Sequence, residues 1–131
     1  MTTDTQRAAV AWHVGAGGRC SRLAGHALRL LNEAVELCAA AGASPLEIET
    51  HVHAEIAKAL ERGEFSASGP IDPYAVRAEL VDVQILGDVL AHWTGGVDTE
   101  VLRAAKIMIL HERDWEADCD GALWRPGRAP R

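Results

Sequence analysis

A chain of 131 residues, 48% hydrophobic and 24% charged, has the size and composition of one globular domain. Its formal net charge of −6 argues against binding to nucleic-acid polymers, which requires a basic surface. Three cysteines without CxxC spacing indicate neither a disulfide framework nor a zinc knuckle. No apolar run is as long as a signal peptide or a bilayer-spanning segment, so we expect a cytoplasmic protein that does not bind membranes.

Two helices are predicted in the first half of the chain, after an N-terminal segment of residues 1–20. Abundant alanine and few β-branched runs favour this all-α fold. One helix covers 21–41, with a serine as its cap and a glycine directly after it. The next covers 44–62 and begins with a capping serine, a proline and a glutamate. The loop 63–74 is long enough to cover a site.

Two further helices are predicted in the second half. They cover about 73–95 and 98–115, the last one capped by an aspartate. The sequence therefore predicts a bundle of about four main helices, residues 21–116, followed by a C-terminal tail, residues 117–131. The dipeptide Asp120-Gly121 indicates a short hairpin within this tail.

The helix over 73–95 carries two carboxylates among apolar residues. At about 100° per residue, five apolar side chains share one arc: Val76, Val83, Leu86, Leu90 and Trp93. Glu79 and Asp82 fall in the middle of this arc, one turn apart. Carboxylates aimed into an apolar interior are destabilising by several kcal/mol each unless they are neutralised. We therefore expect a cation beside this pair inside the fold.

The helix over 21–41 repeats the spacing with Glu33 and Glu36, at the edge of its own apolar arc. If the two helices lie side by side and antiparallel, four carboxylates meet, and an all-oxygen ligand set favours Mg²⁺ or Mn²⁺. One alternative for this helix is a surface pair of Arg29 with Glu33. The alternative for all four acids is a metal-free buried network with four basic side chains. Those basic residues are Arg22, Arg29, Lys106 and Arg113, the last two seven apart and so on one helix face.

These segments resemble a known family. LNEAVEL (31–37) and AELVDV (78–83) are similar to the ExxE…ExxD signature of the MazG-like, all-α nucleoside triphosphate pyrophosphohydrolases. KIMILHERDW (106–115) is similar to the closing helix of that family, which has a lysine and an Arg-x-Trp ending. Two departures are Asn32, where the family often has a further glutamate, and His111, where an asparagine is common.

The resemblance implies a Mg²⁺-dependent enzyme, with Mn²⁺ as a substitute, that cleaves the α–β anhydride of a nucleoside triphosphate to the monophosphate and pyrophosphate. Glu33, Glu36, Glu79 and Asp82 would hold the metal. Glu36, with Glu33 beside it, would take the proton of the attacking water. The substrate would be bound by other side chains: Lys106, Arg113, His111, Arg29 and Trp115, with Trp12 and Trp93 as further candidates for stacking on the base.

Members of this family generally work as homodimers or homotetramers, so the resemblance also implies an oligomer. A non-catalytic helical module that binds a nucleotide or a protein is the alternative function. Asn32 and His111 are the residues that favour it.

Overall fold

The structure is a computed structural model that describes residues 3–65 and 70–130. The chain is mostly helical, as the composition predicts. Its elements are α1 (Asp4–Gly15), α2 (Leu23–Ala40), α3 (Pro45–Glu61), α4 (Pro73–Trp93), α5 (Thr99–His111), β1 (Glu116–Ala117) and β2 (Leu123–Trp124). The two strands form an antiparallel hairpin.

Local capping sets the starts of α3 and α5. The Ser44 hydroxyl accepts the N–H of Glu47 at 3.1 Å, and the Glu47 carboxylate accepts the N–H of Ser44 at 3.3 Å. The Asp98 carboxylate accepts the N–H of Glu100 at 3.0 Å, at the first turn of α5. Both starts are where the sequence predicts them, because a cap acts within one turn of its own helix.

Two helix ends differ from the prediction, and hydrogen bonds from outside the regular helix lie at both of them. Helix α2 begins at Leu23, after Ser21 has donated its N–H to the Asp120 carbonyl at 2.9 Å. Helix α5 ends at His111, and the indole N–H of Trp115 donates to the Leu110 carbonyl at 2.9 Å. The Leu110 carbonyl also accepts the N–H of Arg113 at 3.3 Å, so the indole adds a second donor to a carbonyl in the last turn.

The chain divides into two compact units. Unit 1 comprises residues 1–26 and 73–131, and unit 2 comprises residues 27–72. Unit 2 holds α3 and most of α2, with an apolar groove between the two helices. Unit 1 holds α1, α4, α5 and the hairpin, and in it α1 packs against α5.

The best-buried side chains of the described residues lie in unit 1. Ala122 and Leu123 in the hairpin are 1% and 4% exposed, and Ile107 in α5 is also buried. The hairpin is tied to the segment before α2, since the N–H of Arg19 donates to the Gly121 carbonyl at 3.1 Å. Gly121 has φ +88°, and a Cβ there would collide with the Arg19 backbone. A side chain at this position is therefore excluded twice, by backbone strain and by contact.

Within residues 3–65 and 70–130, none of the helices combines the length and the apolar character that crossing a lipid bilayer requires.

Candidate metal and nucleotide site

Helix α4 presents Glu79 and Asp82 to solvent. The prediction that these carboxylates point into the interior of the chain is wrong, because every residue of α4 from Pro73 to Val89 is exposed. The apolar arc around them is exposed as well: Leu86 is 67% and Trp93 78% exposed. The spacing places both acids on one apolar face correctly, but the described residues leave most of that face exposed, with only Leu90 half-buried.

The polar side of α4 is the side that faces the rest of unit 1. Gln84 and Asp88 line a cleft between α4, α1 and α5, and the Thr99 hydroxyl donates to the Asp88 carboxylate at 3.2 Å. A helix on the surface of a monomer normally turns its polar side to water and its apolar side to the core. In α4 polar residues line the cleft, while most of the apolar arc is exposed and only Leu90 within it is half-buried.

Helix α2 presents the second acid pair, Glu33 and Glu36, which are also exposed. The Arg29 guanidinium lies 2.6 Å from a Glu33 carboxylate oxygen, which confirms the predicted i,i+4 surface pair. Arg29 is the more covered partner, with 23% of its side chain exposed against 54% for Glu33. Glu36 enters no ion pair with any residue that the structure describes. The two glutamates are therefore chemically unequal, and Glu36 is the one available to accept a proton.

In the described part of the chain, no group of three or more histidine, cysteine or acidic side chains could hold a metal ion. The structure shows two carboxylate pairs, one on α2 in unit 2 and one on α4 in unit 1. That all four carboxylates meet stays a prediction. Each pair alone has the donor chemistry for Mg²⁺, which often takes one or two carboxylates and completes its six ligands with phosphate oxygens and water.

The basic residues proposed to bind substrate follow one another around the end of α5. Lys106 and His111 are exposed on the helix, and Arg113 is exposed beyond it. The prediction that Lys106 and Arg113 share a helix face is therefore wrong, because α5 ends before Arg113. The three side chains belong to one short segment, but the structure does not align them along one helix.

The four tryptophans differ in what they contact. Trp115, predicted to stack on a base, is half-buried, and its indole N–H is bonded to Leu110. Its ring meets Trp12 edge-on at 5.0 Å, and the Arg125 guanidinium lies over it at 6.0 Å. These contacts support a structural role for Trp115. Trp93, at the exposed end of α4, keeps most of its surface open to a ligand.

Two histidines in unit 1 form a pair that the sequence does not indicate, because they lie on different elements. The rings of His13 and His26 are 5.4 Å apart, and a His26 ring nitrogen is 2.8 Å from the Arg19 carbonyl. The Nε2 atom of His13 is buried and has no hydrogen-bond partner among the described residues. Burial, and then the neighbouring His26, hold the pKa of His13 below its ordinary value of 6.5.

The loop 63–74, predicted as a cover over the site, includes residues 66–69, which lie outside the described residues.

No family model, no curated protein and no solved structure matches this chain. The chemistry of its own residues therefore carries the functional argument.

Proposed function

We propose that the chain is a Mg²⁺-dependent nucleoside triphosphate pyrophosphohydrolase of the MazG-like type, which releases pyrophosphate from ribo- or deoxyribonucleoside triphosphates. The observation that carries this proposal is the exposed face of α4. Two carboxylates one turn apart stand within an apolar arc that the described residues leave largely exposed. This arrangement suits a site completed by an assembled partner and a cation.

The apolar arc supports assembly into a homodimer or homotetramer. Val83, Leu86 and Trp93 are between 49% and 78% exposed on one arc of α4. Each large apolar side chain contributes about 1.5–3 kcal/mol when fully buried. Contiguous exposed apolar surface of this kind is uncommon on proteins that work as monomers. A second copy of the chain is the proposed cover.

Covering the arc also explains the need for a cation. Glu79 and Asp82 would lose water when a second surface is placed over them, and unpaired buried carboxylates are strongly destabilising. No ion pair joins either acid to another residue within the described ranges. A divalent ion is the neutralising group that also brings a triphosphate to the same place.

The proposed roles follow from exposure and pairing. Glu79, Asp82, Glu33 and Glu36 would hold Mg²⁺, which when bound neutralises phosphate charge and makes water easier to deprotonate. Glu36 accepts the proton of the attacking water, since Glu33 is engaged by Arg29. The cations at the end of α5 neutralise the departing pyrophosphate. They are Lys106 and Arg113, and His111 stands at the position of a base or sugar contact.

The decisive experiment measures pyrophosphate and nucleoside monophosphate released from the common NTPs and dNTPs with Mg²⁺, with Mn²⁺ and with EDTA. We expect equal amounts of the two products from at least one substrate, and none with EDTA. Glu79→Gln should lower kcat more than about a hundredfold, because metal charge stabilisation is worth several kcal/mol. Glu49→Gln, an equally exposed change on α3, is the matched control and should retain activity. Full activity of Glu79→Gln would contradict the proposal.

A non-catalytic nucleotide-binding module is the second candidate, favoured by the Arg29–Glu33 pair and by Asn32 and His111. Thermal melting with Mg²⁺ and a non-hydrolysable triphosphate separates the two candidates. A ligand that binds the native state raises the midpoint by mass action. A raised midpoint without pyrophosphate release from any substrate assigns the module instead of the enzyme.

A further inference from the structure

Unit 1 contains a cleft that the proposed hydrolysis does not use. Helices α1, α4 and α5 surround a space of about 690 Å³, within the range of roughly 300–1,000 Å³ that is typical of small-molecule sites. Its walls carry hydroxyl, amide and charged groups: Thr5 and Gln6 from α1, Gln84 and Asp88 from α4, Glu100 and Arg103 from α5. Two walls are joined directly, since the Thr5 hydroxyl donates to the Glu100 carboxylate at 2.7 Å.

Gly87 keeps this cleft open at the middle of α4. A glycine inside a helix lowers its stability relative to alanine, so a position that tolerates a side chain normally has one. Here a Cβ would have no atom within 4 Å, so no described neighbour requires the glycine. A glycine at this exposed position leaves the helix backbone open to close approach by a ligand, which a side chain would prevent. The free space at Gly87 is part of the cleft.

The charges around the cleft favour a cation. Glu100 already forms an ion pair with Arg103, whereas Asp88 accepts only the Thr99 hydroxyl and enters no ion pair within residues 3–65 and 70–130. The start of α5 does not offer an anion site, because the Asp98 carboxylate accepts the N–H groups of Glu100 and Val101. An anion would therefore meet uncompensated negative charge.

We propose that this cleft binds a small aliphatic amine, whose ammonium group pairs with Asp88 and whose carbon chain lies over Gly87. Asp88 is nine residues from Glu79, which places it roughly 180° away around α4. Asp88 is also about 120° from Asp82, whereas Gly87 is only about 80° from Glu79, so the amine site and the acid pair use different side chains of one helix. The amine site can therefore be absent while the hydrolase site is present, and the reverse.

The test is a titration of the full chain with 1,4-diaminobutane at constant ionic strength, followed by amide chemical shifts in NMR spectra. We expect saturable shifts at Gln84, Gly87 and Thr99, which belong to the cleft. 1-Butanol has a similar carbon chain without the charge and should leave these shifts unchanged. Inorganic phosphate should not compete with the amine.

Two variants decide whether the cleft is the site. Gly87→Leu fills the free space, so it should weaken amine binding at least tenfold while the thermal midpoint is retained or raised. Asp88→Asn should also weaken binding about tenfold, whereas Asp114→Asn removes the same charge from an exposed loop and should have no effect. Shifts spread evenly over acidic surface residues, or unchanged affinity in Gly87→Leu, would overturn the proposal. Loss of pyrophosphate release would not overturn the amine proposal, since that reaction is assigned to Glu79 and Asp82 and not to Asp88.

Discussion

The C-terminal hairpin and α4 belong to the same unit but are buried to opposite extents. In the hairpin, the Asp118 carboxylate accepts the indole N–H of Trp124 at 2.8 Å and the N–H groups of Asp120 and Ala122. The adjoining Ala122 and Leu123 are almost fully buried. Helix α4, with 21 residues and many large apolar side chains, contains no buried residue.

This contrast shows that hydrophobicity alone does not decide what the chain buries. Strand β1 is exposed, but Gly121, Ala122 and Leu123 are buried, with polar groups bonded within the hairpin and to residues 19 and 21. Helix α4 is amphipathic, yet its apolar arc has no complementary surface among the described residues of this chain. We interpret the hairpin as complete within the single chain and α4 as complete only in an assembly.

The largest loss of stability is expected from a substitution that disrupts the hairpin. Gly121→Val should lower the free energy of unfolding by about 3–5 kcal/mol, since backbone strain and the collision with Arg19 add together. Urea unfolding followed by tryptophan fluorescence measures this loss. Gly127→Val is the matched control: it has φ +74° but open space around it, so only the strain of about 1–3 kcal/mol remains. Equal losses in the two variants would show that the hairpin contact is not tight.

The second-largest effect is expected on self-association, from a substitution on the apolar arc of α4. Leu86→Asp should weaken self-association at least a hundredfold, about 2.7 kcal/mol, with little change in the folding of the separate chain. Sedimentation over a range of concentrations measures the dissociation constant. Gln84→Asp adds the same charge to the polar side of α4 and should leave association nearly unchanged. A wild-type chain that stays monomeric at every concentration would remove the basis for an assembled site.

A smaller effect is expected when the polar centre of the hairpin is removed. Asp118→Ala takes away the acceptor for Trp124 and for two backbone N–H groups, and should lower stability by about 2 kcal/mol. The hydrogen bond from Trp124 holds the pKa of the Asp118 carboxyl below its ordinary value, so this stabilisation is present at neutral pH. Asp114→Ala in the exposed loop should change stability by less than about 0.5 kcal/mol.

The smallest effect is a dependence on pH near His13. Its pKa is lowered in the folded chain, so below the ordinary value of 6.5 the unfolded chain binds more protons. Stability should therefore be complete above pH 6.5 and fall as the pH decreases through the lowered value. His13→Phe should make this part of the pH profile flatter when unfolding is measured at several pH values. An unchanged profile in the variant would show that His13 does not contribute.

The sequence predicts the features of the fold that depend on neighbouring residues. The caps at Ser44 and Asp98 and the turn at Asp120-Gly121 are found where expected. The end of α5 differs from the predicted one although its contacts are local: the Trp115 indole and the N–H of Arg113 both donate to the Leu110 carbonyl. The packing of the hairpin on residues 19–21 depends on partners about a hundred positions apart, and periodicity carries no information about such pairs.

In the candidate site too, the features set by local helix geometry are predicted, and those set by distant contacts are not. Spacing correctly places Glu79 with Asp82, and Glu33 with Glu36, because helix geometry alone determines which residues share a face. An apolar arc predicts that a helix face is buried, but it does not indicate whether the same chain or another chain buries it. That is why the interior position of Glu79 and Asp82 is predicted wrongly for the single chain.

The link between Arg19 and Gly121 also constrains the order of events during synthesis. The segment before α2 emerges from the ribosome long before its partner, since 98 residues separate Arg22 from Asp120, which form an ion pair in the same contact. Contacts between such distant positions form late in folding. Trp12 in α1 therefore lacks its ring contact with Trp115 until the C-terminal part of the chain has been translated.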